Sequence, residues 1–156
     1  GQRYSEKQEA MDYQQQLIEL ASQAELQGHV HFLGRRDDVP ALLRQWTMLI
    51  HPARQEPLGR VLLEAAASGC PVIATEVGGT REIFPEMNNG GLLVPRESVP
   101  QLADAICRLL GSPRTCHSLR EGGRERAERC FSVGLAADRL LQHYHEVASP
   151  SWQEPS

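Results

Sequence analysis

The feature that most constrains this chain is a set of short apolar runs, each followed by a turn and then by a helical stretch. Thr47-Met48-Leu49-Ile50 is halted by Pro52, Pro71-Val72-Ile73-Ala74-Thr75 leads into a Gly78-Gly79 turn, and Gly91-Leu92-Leu93-Val94 is broken by Pro95. Runs this short, bounded by Gly and Pro, suit buried strands. His29-Val30-His31-Phe32-Leu33 alternates like a further strand and is closed by Gly34. Elsewhere the apolar period is helical. Leu17, Ile18, Leu20, Ala21, Ala24 and Leu26 recur at helical spacing up to a stop at Gly28. Asp37 or Asp38 can cap a helix through Val39, Leu42 and Leu43, with Pro40 in its first turn. Val61 to Ala67 reads as a buried helix ending at Gly69. Beyond Leu102 only helical patterning remains: Leu102, Ala105, Ile106, Leu109 and Leu110 form one stripe, and Leu135, Leu140, Leu141 and Tyr144 mark a last helix. Strands alternating with helices predict an α/β fold. Its core is a parallel sheet of about four strands flanked by helices, with ligands at the carboxyl ends of the strands.

Composition removes several function classes. A chain of 156 residues, 40% hydrophobic and 23% charged, is a single globular domain by size and balance. No apolar run reaches the roughly 18 to 20 residues of a membrane helix, and the polar stretch around Glu6, Lys7, Glu9 and Asp12 is no secretory signal. A cytoplasmic location follows as the expectation, at most peripheral to a membrane in a longer enzyme. A net charge of −4 gives no electrostatic reason to expect nucleic acid. Cys70, Cys107, Cys116 and Cys130 lack a C-x-x-C pair and read as free thiols. His29 and His31 would share one strand face, but no acid sits in register, so a polar face is favoured over a metal site; His143 and His145 diverge on a helix. Arg120, Arg124 and Arg129 interleave with Glu121, Glu125 and Glu128, which predicts a solvated helix face. The Pro- and Ser-rich residues 148–156 are expected to form a disordered tail.

Two strand-end loops are unusual. The first, His51-Pro52-Ala53-Arg54-Gln55-Glu56-Pro57-Leu58-Gly59-Arg60, runs straight into a helix. The amides of Gly59, Arg60 and Val61 would open that helix as an anion site favouring phosphate. Glu64 lies four residues beyond Arg60 on the same face, about 7.5 Å along the helix from Gly59. That distance is of the order separating a nucleotide's diphosphate from its ribose, and a carboxylate there can accept two hydroxyl hydrogen bonds. Glu56, ahead of the helix, suits the hydroxyls of a neutral sugar. Taken alone, Glu56 is equally readable as a complement to the helix dipole, and Glu64 as a boundary residue reaching solvent. The second loop, Glu76-Val77-Gly78-Gly79-Thr80-Arg81-Glu82-Ile83, again opens a helix, with Thr80 as a candidate cap. The sequence contains neither G-x-G-x-x-G nor a P-loop motif, which disfavours dinucleotide oxidoreductases and P-loop enzymes.

The order of these segments resembles the retaining family 4 glycosyltransferases, the group 1 enzymes of two-domain GT-B architecture. The resemblance rests on Val30-His31-Phe32-Leu33-Gly34, Asp38-Val39-Pro40-Ala41-Leu42-Leu43 and Glu56-Pro57-Leu58-Gly59-Arg60-Val61-Leu62-Leu63-Glu64-Ala65. Ser68-Gly69-Cys70-Pro71-Val72-Ile73-Ala74-Thr75, Val77-Gly78-Gly79-Thr80-Arg81-Glu82-Ile83 and Asn89-Gly90-Gly91-Leu92-Leu93-Val94-Pro95 continue it. It implies the C-terminal, Rossmann-like half of a GT-B enzyme, truncated at its N-terminus and spanning residues 1–147. The donor would be a UDP-, GDP- or ADP-sugar, with no metal and no other cofactor. The acceptor would be bound by an N-terminal domain missing from this chain. By motif, Glu56 becomes the catalytic residue facing the donor sugar, Glu64 the ribose ligand, and Gly59, Arg60 and Val61 the diphosphate site. Gly34, His51, Gly78, Gly79 and Thr80 are secondary candidates.

The departures from the family pattern are Leu58 in place of the usual aromatic residue, the doubled Gly90-Gly91, and the lack of a basic pair to steady the leaving diphosphate. The last of these, with the missing acceptor domain, implies that the fragment alone is inactive. Two alternatives stand beside the transferase: a non-catalytic nucleotide-sugar-binding module, and another GT-B enzyme such as a nucleotide-sugar epimerase.

Overall fold

A computed structural model describes residues 8–85 and 90–148. The expected tail lies almost wholly outside these residues. The chain divides into two compact units, Gly1–Val39 and Pro40–Ser156.

The N-terminal unit contains helix α1 (Gln8–Ala21) followed by turns. The helix ends well before the expected stop at Gly28. Ser22 Oγ donates to the Glu19 carbonyl at 2.7 Å, a local bond that competes with continued helix, and the chain turns through residues 22–29. The expected strand at His29–Leu33 does not form. A strand exists only as a member of a ladder, and no second extended segment of this unit pairs with it among the described residues. Val30, Phe32 and Leu33 are accordingly exposed.

In the larger unit the predicted alternation holds. Helix α2 (Val39–Gln45) leads to β1 (Leu49–His51), α3 (Arg60–Ala67), β2 (Val72–Thr75), α4 (Thr80–Ile83) and β3 (Gly91–Val94). Three helices follow: α5 (Val99–Leu110), α6 (Pro113–Phe131) and α7 (Val133–Ala148). The sheet is parallel with order β1-β2-β3, in register Ile50↔Ile73↔Leu92. Among the described residues it has three strands, one fewer than expected. All four residues of β2 are buried, as a central strand apolar on both faces requires. Ile73, Leu92 and Val94 pack with Leu109 of α5 and Leu119 of α6. Leu110, placed in the inward stripe by sequence, is exposed, because Leu109 already occupies the inward position.

Helix α3 packs on α6 through small residues. A Cβ on Gly123 would stand 3.5 Å from the Ala66 methyl, and one on Gly90 (φ 93°) would stand 2.2 Å from the Gly123 Cα. Gly90, just before β3, is therefore used for a backbone-to-backbone approach to α6, while Gly91 makes room for the Phe84 ring.

The expected solvated face of α6 holds for Arg124, Arg129, Glu121, Glu125 and Glu128, which are exposed, but not for Arg120. Arg120 donates to the carbonyls of Gly69 (3.0 Å) and Trp46 (3.1 Å), just past the ends of α3 and α2. Arg126 donates to Glu82 (2.7 Å) and Ile83 at the end of α4. Terminal carbonyls lack intrahelical partners and attract cations, so α6 holds neighbouring helices by their carboxyl ends. Of the expected pairs, Arg129–Glu125 forms at 2.8 Å, while Glu121 meets His117. All four cysteines are free, and burial pushes the Cys70 thiol up. No helix among the described residues is long and apolar enough to cross a membrane.

Candidate functional site

The carboxyl ends of β1 and β2 open into the two glycine-bearing loops, and the structure joins them. Glu56 sits at the centre. Its Oε1 accepts from the Gly59 N–H at 2.7 Å and the Leu58 N–H at 3.3 Å. Its Oε2 lies 2.6 Å from His51 Nε2. The Gly59 N–H holds the Glu56 carboxyl below its ordinary 4.5, helped by His51 and Leu58 and opposed by burial. An ionised carboxylate only accepts, so His51 Nε2 is the donor.

Gly59 precedes α3 in the left-handed region (φ 61°), and a Cβ there would meet Ile83 Cδ1 at 2.3 Å. From the second loop, the Gly79 N–H donates to the Glu56 carbonyl at 3.3 Å. Gly78 (φ 52°) brings its backbone so close that a Cβ would stand 2.2 Å from that same oxygen. Thr75 Oγ1 also donates to the Ala53 carbonyl, a second tie between β2 and the first loop. Thr80 is not the helix cap. Gly79 occupies that position, and the buried Thr80 hydroxyl accepts from the Val77 N–H (3.0 Å) and donates to the Val77 carbonyl (2.9 Å). The turn's own backbone offers this closer partner.

Above these loops lies an open recess of about 500 Å³, lined by Glu56, Pro57, Val77 and Gly78 together with Arg54 and Arg96. Arg54 pairs with Glu97 at 3.4 Å, and Glu97 itself adopts φ 59°. Sequence reasoning missed Arg54, Arg96 and Glu97. The signal was their place in strand-end loops, since Arg96 and Glu97 follow β3 as Arg54 follows β1.

The remaining candidates divide. Arg60 and Val61 are the first residues of α3, where amides lack intrahelical acceptors. The Gly59 amide, expected to face an anion, is already engaged by Glu56. Glu64 does not line the Glu56 recess. It is exposed and borders a separate groove of about 370 Å³ with Leu63, Ala67, Ala127 and Phe131. Gly34 belongs to the N-terminal unit, at φ 64° with open space where a Cβ would stand. Among the described residues no group of three or more His, Cys, Asp or Glu side chains is arranged to hold a metal ion.

The lowered Glu56 pKa has a signed consequence. A carboxyl depressed in the folded state contributes stability above its unfolded value and loses it as pH falls through the folded one. Urea unfolding of the wild type should therefore weaken as pH drops below 4.5. Glu56→Gln should show a shallower decline over the same interval. Parallel declines would mean that this carboxylate is not engaged in the native state.

Comparison with known proteins gives the family of the chain. The sequence model described as glycosyl transferases group 1 matches residues 10–126. An uncharacterized glycosyltransferase of Methanocaldococcus jannaschii is 35% identical over 122 residues, covering 77% of this chain and 34% of the relative. HepE of Anabaena, solved in complex with UDP, superposes with a TM-score of 0.83 at 26% identity, covering 89% of this chain and 38% of HepE. The same protein solved with UDP-glucose gives 0.79 at 27% identity, over 86% and 37%. The C-terminal domain of a group 1 glycosyl transferase (LpcC) of Francisella tularensis gives 0.70 at 25% identity, over 81% and 66%. The chain thus spans about a third of the length of curated relatives such as the Methanocaldococcus jannaschii protein.

Proposed function

The chain belongs to the group 1 glycosyltransferases of GT-B fold, and we propose that residues 1–147 are the donor-binding half of a retaining, family 4 member. It binds a nucleotide-sugar and transfers the hexose or pentose to an acceptor held by a domain outside this chain, in the cytoplasm and without a metal. The observation that carries this reading is the Glu56 carboxylate, fixed beside the opening of α3 and lining, with Gly78, the recess above the two loops. The likeness to HepE solved with UDP and with UDP-glucose supports it.

The chemistry follows from charge. Transfer develops positive character on the sugar ring and negative charge on the leaving diphosphate, and groups aimed at growing charge lower the barrier most. The first amides of α3, at Arg60 and Val61, receive the diphosphate. Glu56 accepts a hydrogen bond from the sugar and faces the cationic ring, while the leaving phosphate oxygen takes the acceptor's proton on the same face. Glu64 holds the ribose. A hydrolase would need both carboxylates flanking one glycosidic bond, whereas Glu56 and Glu64 line two recesses. That separation disfavours a hydrolase pair.

Glu64→Gln tests the nucleotide side. Losing a charged hydrogen-bond partner costs about 1.5 to 3 kcal/mol, roughly ten- to hundredfold in nucleotide affinity by calorimetry. The melting temperature should hold, because Glu64 is exposed and has no ion-pair partner among the described residues. Unchanged affinity with a lowered melting temperature would make Glu64 structural.

A further inference from the structure

Glu56 is held at both oxygens. The two backbone amides meet Oε1 alone. Terminal torsions of carboxylate side chains are broad, so contacts to one oxygen leave the carboxylate plane free to turn. The second oxygen is met by His51, whose imidazole is a side-chain contact from a different element. His51 is itself well fixed, as the last residue of β1, in register with Ala74 of the buried central strand. Both partners are sheltered, with side chains 25% (His51) and 16% (Glu56) exposed, so competition from water is limited.

We infer that His51 is a positioning residue that sets the plane of the Glu56 carboxylate, leaving it one acceptor position for a ligand. The count is chemical. An ionised carboxylate offers about four lone-pair positions; Gly59, Leu58 and His51 take three of them. A single further hydrogen bond can then be accepted, from one hydroxyl rather than from a vicinal pair. This deepens the proposed function and rests on it for the identity of that hydroxyl as a sugar's. The hold of His51 on Glu56 does not depend on any ligand. His51 acts through Glu56, so its effect should appear at the other atoms Glu56 holds.

The test is amide hydrogen exchange by NMR on this chain without ligand, comparing wild type, His51→Leu and His51→Gln. Leucine keeps bulk but cannot donate. Glutamine places an N–H donor near the position of imidazole Nε2. The Gly59 amide should exchange about tenfold faster in His51→Leu, while the amide of Ile73 in the central strand stays protected, and His51→Gln should return Gly59 towards wild type. Unchanged Gly59 exchange in His51→Leu would overturn the positioning role. So would equal acceleration at Gly59 and Ile73, which would make His51 a general support of the fold.

A second arm measures UDP-glucose and UDP affinity on the same proteins. His51→Leu should weaken UDP-glucose and spare UDP. If wild type binds neither while the exchange pattern holds, the sugar reading fails and the positioning role stands. If UDP-glucose binds equally to wild type and His51→Leu, positioning has no bearing on the ligand and the proposal falls.

Discussion

Replacing Glu56 by alanine should lower sugar transfer by about a hundredfold or more, the range for electrostatic groups whose contribution grows in the transition state. The measurement belongs to the enzyme form that carries the acceptor half. Binding of the bare nucleoside diphosphate should behave in the opposite sense. Glu56 occupies the Gly59 and Leu58 amides at the opening of α3. Its removal frees two donors and deletes a negative charge beside the phosphates, so affinity should hold or rise. Normal turnover in the variant would take Glu56 out of the mechanism. A loss of diphosphate binding equal to the loss of turnover would move it to the nucleotide.

Gly78→Ala should be severe for a different reason. At φ 52° an L-residue is disfavoured by about 1 to 2 kcal/mol, and the new Cβ would lie 2.2 Å from the Glu56 carbonyl oxygen. That obstacle is backbone, which has no rotamer to yield, so one of the two loops must move. Overpacking of this kind adds about 1 to 3 kcal/mol. A combined loss of about 2 to 5 kcal/mol in urea unfolding is expected. Because the displaced carbonyl belongs to Glu56, nucleotide-sugar binding should weaken as well. Gly34→Ala is the comparison: φ is 64°, yet open space surrounds the new methyl, so only the backbone cost should appear. Equal stability losses at the two positions would mean that the loops are not in contact.

Much of the larger unit was legible in sequence because its signals are local. The Val72–Thr75 run, apolar but for Thr75, is the buried central strand, and Gly59 and Gly78 stand where positive φ is needed. What was not legible depends on partners far along the chain. Val30–Leu33 has a strand's alternation but no ladder to join among the described residues of its unit. Arg120 and Arg126 look like members of a charged helix face, and only the folded chain shows the carbonyls of Trp46, Gly69, Glu82 and Ile83 that they reach. At the site the sequence marked both loops, yet gave no sign that Gly78 would pack on the backbone of Glu56. Nor did it show that Thr80 would bond within its own turn, or that His51 would turn back to Glu56 across five positions. Glu56 and Glu64 line separate recesses, because one precedes α3 while the other lies in its second turn.

The most direct measurement is an NMR titration of this chain with UDP-, GDP- and ADP-sugars, following the amides of Arg60, Val61, Gly78 and Gly79. One nucleotide series should give saturable shifts at these four positions, weakened in Glu64→Gln, and its sugar-bearing form should perturb Gly78 and Gly79 more than its bare diphosphate. Absence of saturable shifts with all three series, or shifts confined to residues remote from the two loops, would contradict the assignment of this unit as the donor-binding half.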